Sequence, residues 1–389
     1  MFSHRTDWSF ALNPLMLRLK ELKEKQIKVF DLTESNPTRA GFSYPKNEIL
    51  KSLSKPESLL YQPEPFGDIK ARQAVCAMYE RQGFSVEPSR VILTSSSSEA
   101  YSFLFRLLLN PHEAVLFPRP SYPLFDFLAQ LNDAEICPYP LVYKKTWEVD
   151  EEGLKAAVTD KTKALVLVNP NNPTGSFIKE QELFMINQVC DENHLAVICD
   201  EVFLDYAFSK ETHLAKSLVD NASVLTFTLG GLSKSLGLPQ MKLSWIVASG
   251  PEKEVQEALK RLEIIADTYL SVNTPSQRAL SSWLLQKEKI QKQIKARIEK
   301  NKRVLSNAFS KTSLTVLHGE GGWYGILQLP QGTDEESCAL NLLESHHVFV
   351  HPGYFFDFAE GAHIVLSYLT PEDVFRQGVQ KIAVHLQNA

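Results

Sequence analysis

Short runs rich in β-branched and aliphatic residues recur along this chain between helical patterns, and no other feature constrains its fold as tightly. The runs lie at residues 91–93, 114–117, 135–137, 164–168, 196–199, 224–227 and 243–248. Helical patterns separate most of them, as at residues 100–109 and 182–193. Strands alternating with helices build a mostly parallel sheet covered on both faces, because a parallel neighbour is reached through a crossover. A seven-stranded sheet of an α/β protein is therefore expected. A helical stretch over about 275–310 follows, then runs at 314–317, 323–329, 348–350 and 364–368 that read as a smaller α+β lobe. At 389 residues the chain exceeds the size at which one core stops growing, which again implies two lobes.

Composition narrows the function classes. A hydrophobic fraction of 44% and a charged fraction of 22% are those of an ordinary soluble protein. A net charge of -5 gives no reason to expect nucleic acid or an acidic membrane as partner. The segment 287–303 carries eight basic residues against Glu288 and Glu299, without aromatic interleaving, and reads as a solvated helix face. Five cysteines without paired spacing read as reduced thiols of a cytosolic protein. His4, Arg5 and Asp7 precede any apolar stretch, which does not read as a signal peptide. No run has the roughly 18 apolar residues of a membrane span.

Three polar clusters close three of the runs. Asn169-Pro170-Asn171-Asn172-Pro173-Thr174-Gly175 follows residues 164–168, Asp200-Glu201 follows 196–199, and Gly230-Gly231-Leu232-Ser233-Lys234 follows 224–228. Open α/β sheets place their ligands at strand ends of this kind. An amide, a carboxylate and a lysine in that order point to pyridoxal 5'-phosphate (PLP). That cofactor forms an imine with a lysine amine, needs a proton held on its pyridine nitrogen, and carries a phenolic oxygen that takes hydrogen bonds.

Asn172 and Asp200 are 28 residues apart, and Asp200 and Lys234 are 34 apart. In this order and spacing the chain resembles the fold type I PLP enzymes of aminotransferase class I/II. Tyr61, Ser96-Ser97-Ser98, Pro120-Ser121-Tyr122 and His351-Pro352-Gly353 also fall where that family has matching features. The resemblance implies a large PLP-binding domain at 46–275, a small domain at 276–389 and an N-terminal segment, 1–45, packing on the small domain. It makes Lys234 the Schiff-base lysine and general acid/base, Asp200 the partner of the pyridine nitrogen, Asn172 the partner of the phenolic oxygen and Tyr122 the aromatic that stacks on the ring. Ser97, Ser98, Ser233 and Lys242 would hold the phosphate. Tyr61 would reach the phosphate of a neighbouring subunit, which implies a homodimer with a shared active site. The partners implied are a small-molecule amino donor and a 2-oxo acid.

Four positions depart from the family pattern. Phe203 replaces a tyrosine that donates to the ring oxygen, and Tyr206 is no obvious substitute. Gly231 replaces a serine that binds phosphate. Lys242 replaces an arginine, keeping the charge but losing the bidentate fork. Val365, in Val365-Leu366-Ser367-Tyr368, stands where the family has the arginine that clamps the substrate carboxylate. Either Arg39 supplies the missing cation, together with Asn172, or the substrate is an amine or unusual amino acid held otherwise. Phe42, Phe66, Phe203, Trp323 and Tyr324 fall in segments that border the site in relatives, as pocket walls or as core. Transamination is the leading reading. A β-eliminating lyase and a cofactor-binding protein with little catalysis are the alternatives.

Overall fold

The computed structural model describes residues 1–209 and 214–387. Its large sheet has eight strands, in the spatial order Val91–Thr94, Ser244–Ser249, Thr226–Gly231, Ala196–Asp200, Thr162–Val168, Ala114–Arg119, Glu135–Tyr143 and Trp147–Val149. The strands from Thr226–Gly231 to Glu135–Tyr143 run parallel, and the outer ones pair antiparallel. All the expected strands are present. The added one, Trp147–Val149, buries only Trp147 and Val149 at the sheet edge, too short an alternation to stand out in a sequence.

Ala196–Asp200 shows why these runs are continuously apolar. Every residue in it is buried. Ala196 and Ile198 pack with Leu104 and Phe105 of the Ser97–Leu108 helix, while Val197 and Cys199 pack with Ile186 and Cys190 of the Glu180–Glu192 helix. Alternate side chains point to opposite faces, so a strand covered on both sides must be apolar throughout. Each fully buried aliphatic side chain contributes about 1.5–3 kcal/mol.

The expected helical stretch over 275–310 is two helices, Thr274–Leu284 and Lys287–Phe309. They are separated where the Gln286 N–H bonds to the Trp283 carbonyl at 2.8 Å. Trp283 is fully buried, and its indole N–H donates to the Ile49 carbonyl at 3.2 Å. That contact anchors the end of the first helix. The second buries Ile290, Ile294, Ile298 and Leu305, at spacings of four and seven, and exposes Lys289, Lys292, Lys295, Lys300 and Arg303, while Lys287, Arg297 and Lys302 are half-buried. Lys300 pairs with Glu372 and Arg303 with Glu299 on that outer face.

An antiparallel sheet of Thr315–Leu317, Tyr324–Gln328, His363–Ser367 and His351–Pro352 follows. Phe30–Asp31 pairs parallel with Val348–Phe349. The Pro14–Glu24 helix starts at Asn13, whose side chain accepts the Leu15 N–H at 2.8 Å. Its Leu15, Leu19 and Leu22 share a core with Leu342 and Leu343 of the Glu335–His346 helix. Among the described residues no helix is long and apolar enough to cross a membrane.

Candidate active site

Three chain segments meet at the carboxyl ends of the central parallel strands. The first leaves Thr162–Val168. Asn169 donates its N–H to the Asp200 carbonyl at 2.8 Å and accepts the Ile178 N–H on Oδ1 at 3.1 Å. Asn171 Nδ2 donates to the Pro120 carbonyl at 3.0 Å and to Thr174 Oγ1 at 2.9 Å. The peptides before Pro170, Pro173 and Pro120 are cis. Gly175 has φ of 69°, and a Cβ there would lie 2.3 Å from the Gly321 carbonyl oxygen, so only glycine fits. These bonds present Asn172, whose buried Oδ1 has no hydrogen-bond partner among the described residues. An Asn-Pro turn and a presented amide are thus the same feature.

The second segment begins with Asp200. Its Oδ1 accepts the Val202 N–H at 3.1 Å, and its Oδ2 accepts the Tyr101 hydroxyl at 3.2 Å. Burial pushes its pKa up to about 6, opposed by those two bonds and by the charge of Lys234. Tyr101 is a residue that sequence reasoning missed. It lies four residues after Ser97 on the Ser97–Leu108 helix, one turn along, but among apolar neighbours it reads as core. Next to Asp200, buried Glu201 is pushed up to about 8 by desolvation, and accepts the Ser217 hydroxyl at 2.6 Å and the Leu218 N–H at 2.7 Å. It ties down the 217–218 segment and leaves the outward role to Asp200.

The third segment carries Lys234 on the helical turn Leu232–Ser235, directly after Thr226–Gly231. Its Nζ lies 5.5 Å from the Phe203 ring centroid and 5.2 Å from that of Trp323. Burial lowers the amine's pKa, with Asp200 opposing. A lowered amine pKa favours the neutral form, which is the nucleophilic one. The flanking glycines serve the sheet: a Cβ on Gly230 would meet the Trp245 indole at 2.4 Å, and one on Gly231 would meet Ser244 Oγ at 2.3 Å. Tyr206 donates its hydroxyl to the Lys234 carbonyl at 2.7 Å, so its phenol holds the lysine backbone and is not a substitute for the one lost at Phe203.

Of the five aromatics in segments expected to border the site, Phe203, Trp323 and Tyr324 cluster there, with Phe203 5.2 Å from Trp323 and 6.4 Å from Tyr324. Phe42 lies instead under the Arg297 guanidinium, at 5.1 Å, and Phe66 packs against the core of the Ser97–Leu108 helix. The Tyr324 hydroxyl approaches the side chains of Ser35 and Asn172, near Tyr122, and burial pushes it up to about 12. Val365 is buried and pairs with Ile326 and His351. Burial drives His351 down to about 4, so it is neutral near pH 7 and no cation stands opposite Val365 in the strand pairing. Arg39 is solvent-exposed in the turn that follows Ser35.

Ser97 and Ser98 open the Ser97–Leu108 helix. Ser96 Oγ caps it by accepting the Glu99 N–H at 3.1 Å, which leaves the amides of Ser97 and Ser98 without helical acceptors. Ser233 is half-buried on the lysine turn. Lys242 is exposed at φ 49° and leads into Ser244–Ser249. Tyr122 is 42% exposed and Tyr61 77% exposed on the described chain. The donor set suits PLP on structural grounds: a buried carboxylate for a protonated ring nitrogen, the buried Asn172 side chain at the same strand ends, a desolvated lysine, and free helix-terminal amides for a phosphate.

A sequence profile of aminotransferase class I and II matches residues 27–382. The glutamate-pyruvate aminotransferase AlaA of Escherichia coli (strain K12) is 27% identical over 273 residues, which covers 70% of this chain and 67% of that protein. An alanine aminotransferase of Mycobacterium tuberculosis (strain ATCC 25618 / H37Rv) is 25% identical over 368 residues, 91% of this chain and 84% of its own. Among solved structures, an alanine aminotransferase from Pyrococcus furiosus superposes with a TM-score of 0.90 at 24% identity over 100% of both chains, a likeness of fold. The chain belongs to the class I and II aminotransferases and is a PLP-dependent transaminase that acts on amino acids and 2-oxo acids.

Proposed function

We propose that Lys234 is the lysine that holds the cofactor and moves the proton at the donor's α-carbon. The observation that carries this reading is its desolvated amine, walled by Phe203 and Trp323 and electrostatically coupled to Asp200. PLP, when bound, withdraws electrons from the reacting carbon. Asp200 holds the proton on the ring nitrogen, and Tyr101 and the Val202 N–H hold Asp200. Asn172 bonds the ring's phenolic oxygen and borders the substrate, and Tyr122 covers one ring face. The amides of Ser97 and Ser98, with Ser233 and Lys242, receive the phosphate. Arg39 supplies the positive charge for a donor carboxylate that Val365 cannot pair.

The names of the relatives make alanine or glutamate the first donors to try, with pyruvate or 2-oxoglutarate as acceptor. Transfer must consume an acceptor. Alanine should therefore yield more than one pyruvate per active site only when 2-oxoglutarate is added, whereas pyruvate and ammonia forming from a β-substituted donor without any acceptor would instead identify a lyase. The working unit is a cytoplasmic homodimer in amino acid metabolism, with Tyr61 reaching the partner's phosphate. Its high exposure on a single chain supports that role. The chain divides into the segment 1–45, a PLP-binding domain at 46–275 and a small domain at 276–389.

A further inference from the structure

Gly231 stands where the family resemblance places a phosphate-binding serine, yet the space its side chain would fill is occupied. A Cβ built on Gly231 would lie 2.3 Å from Ser244 Oγ and 3.0 Å from Ser244 Cβ. The two residues oppose each other across the antiparallel pair of Thr226–Gly231 and Ser244–Ser249, and Ser244 pairs on its other side with Thr94. Opposed residues on neighbouring strands share a face, as do alternate residues along one strand. Leu229, Ile246 and Ile92 lie two residues from Gly231, Ser244 and Thr94, and all three pack with Ala100, Phe103 and Leu104 of the Ser97–Leu108 helix. Ser244 therefore presents its side chain to the sheet face that this helix covers.

It does so at the helix's N-terminal end. Thr94 leads straight into the Ser95–Ser96 turn, and its Oγ1 donates to the Ser96 carbonyl at 3.1 Å. The row Gly231, Ser244, Thr94 thus ends beside the free amides of Ser97 and Ser98, with Lys242 two residues before Ser244. Ser244 is 2% exposed. A buried hydroxyl beside helix-terminal amides suits a tetrahedral anion, which takes several charge-assisted hydrogen bonds.

We propose that Ser244 donates its hydroxyl to the cofactor phosphate, from the place a serine at 231 would fill, and that residue 231 is glycine because the Ser244 hydroxyl occupies its side-chain space. This rests on the Ser97–Ser98 turn being the phosphate seat. The test compares the affinity of full-length protein for PLP and for pyridoxal, which lacks the phosphate, by the visible absorbance of the bound cofactor. Ser244→Ala should weaken PLP about tenfold and pyridoxal less than twofold. Moving the hydroxyl back across the pair, with Ser244→Gly and Gly231→Ser together, should return PLP affinity to within about threefold of wild type. An equal loss for both ligands, no loss, or a double variant as weak as Ser244→Ala would overturn the proposal. Lys242→Ala scores the seat separately. A selective loss of PLP there with none in Ser244→Ala defeats the Ser244 assignment alone, whereas no selective loss in either variant removes the seat as well.

Discussion

Single residues carry the chemistry here, and several act through neighbours that hold them. Asp200 illustrates this, since one oxygen is fixed by a backbone N–H and the other by the Tyr101 phenol. Burial raises its pKa and the two bonds oppose the rise. A cationic partner at a protonated ring nitrogen would lower it further and keep the carboxylate ionised. The substrate side shows the opposite arrangement. Val365 and the neutral His351 give a carboxylate no positive charge, and Tyr324 with the Ser35 and Asn172 side chains beside it forms a neutral set. Arg39 is therefore the residue to test. Arg39→Ala should raise the apparent KM for a carboxylated donor about tenfold with a smaller change in kcat, the size expected for losing one charged partner. An unchanged KM would transfer the role to the neutral set.

At the scale of elements, the sheet was readable and the side-chain exchanges across it were not. The buried strands are continuous apolar runs because both faces are covered, and that pattern survives in one dimension. Their ends were readable for the same reason: Asn172, Asp200 and Lys234 lie in the polar clusters that follow apolar runs. What failed to show was anything that depends on register. Tyr101 reaches Asp200 from a different element, Ser244 fills the space of Gly231 from the next strand, and the break at Gln286 follows from where Trp283 is anchored. A departure judged position by position looks like a loss. Across the strand pair, the missing hydroxyl at Gly231 has a counterpart.

At the scale of the whole molecule, the site draws on segments far apart in sequence. Glu320 N–H and Gly321 N–H both donate to the Gly175 carbonyl, at 3.0 and 2.9 Å, and buried Glu320 accepts the Lys179 amine at 2.9 Å. Trp323 and the start of the Tyr324–Gln328 strand are thereby fixed against the Asn172 loop. Leu59, Leu60 and Tyr61 are 90%, 58% and 77% exposed, an apolar stretch that a subunit interface would cover. The mass of the protein in solution should be twice that of the 44.0 kDa chain. A monomer that binds PLP with full affinity would contradict a phosphate seat shared through Tyr61.

The central claim is that Lys234 holds the cofactor and moves the proton. Its most direct test is the visible spectrum of PLP-loaded protein, wild type and Lys234→Ala, titrated with L-alanine. Wild type should show the lysine-bound band and convert to the pyridoxamine form with release of pyruvate. Lys234→Ala should lack the lysine-bound band and convert at least about 10³-fold more slowly, because it has lost both the nucleophile and the proton carrier. A variant that keeps the band and the rate would place the reacting amine elsewhere and contradict the account.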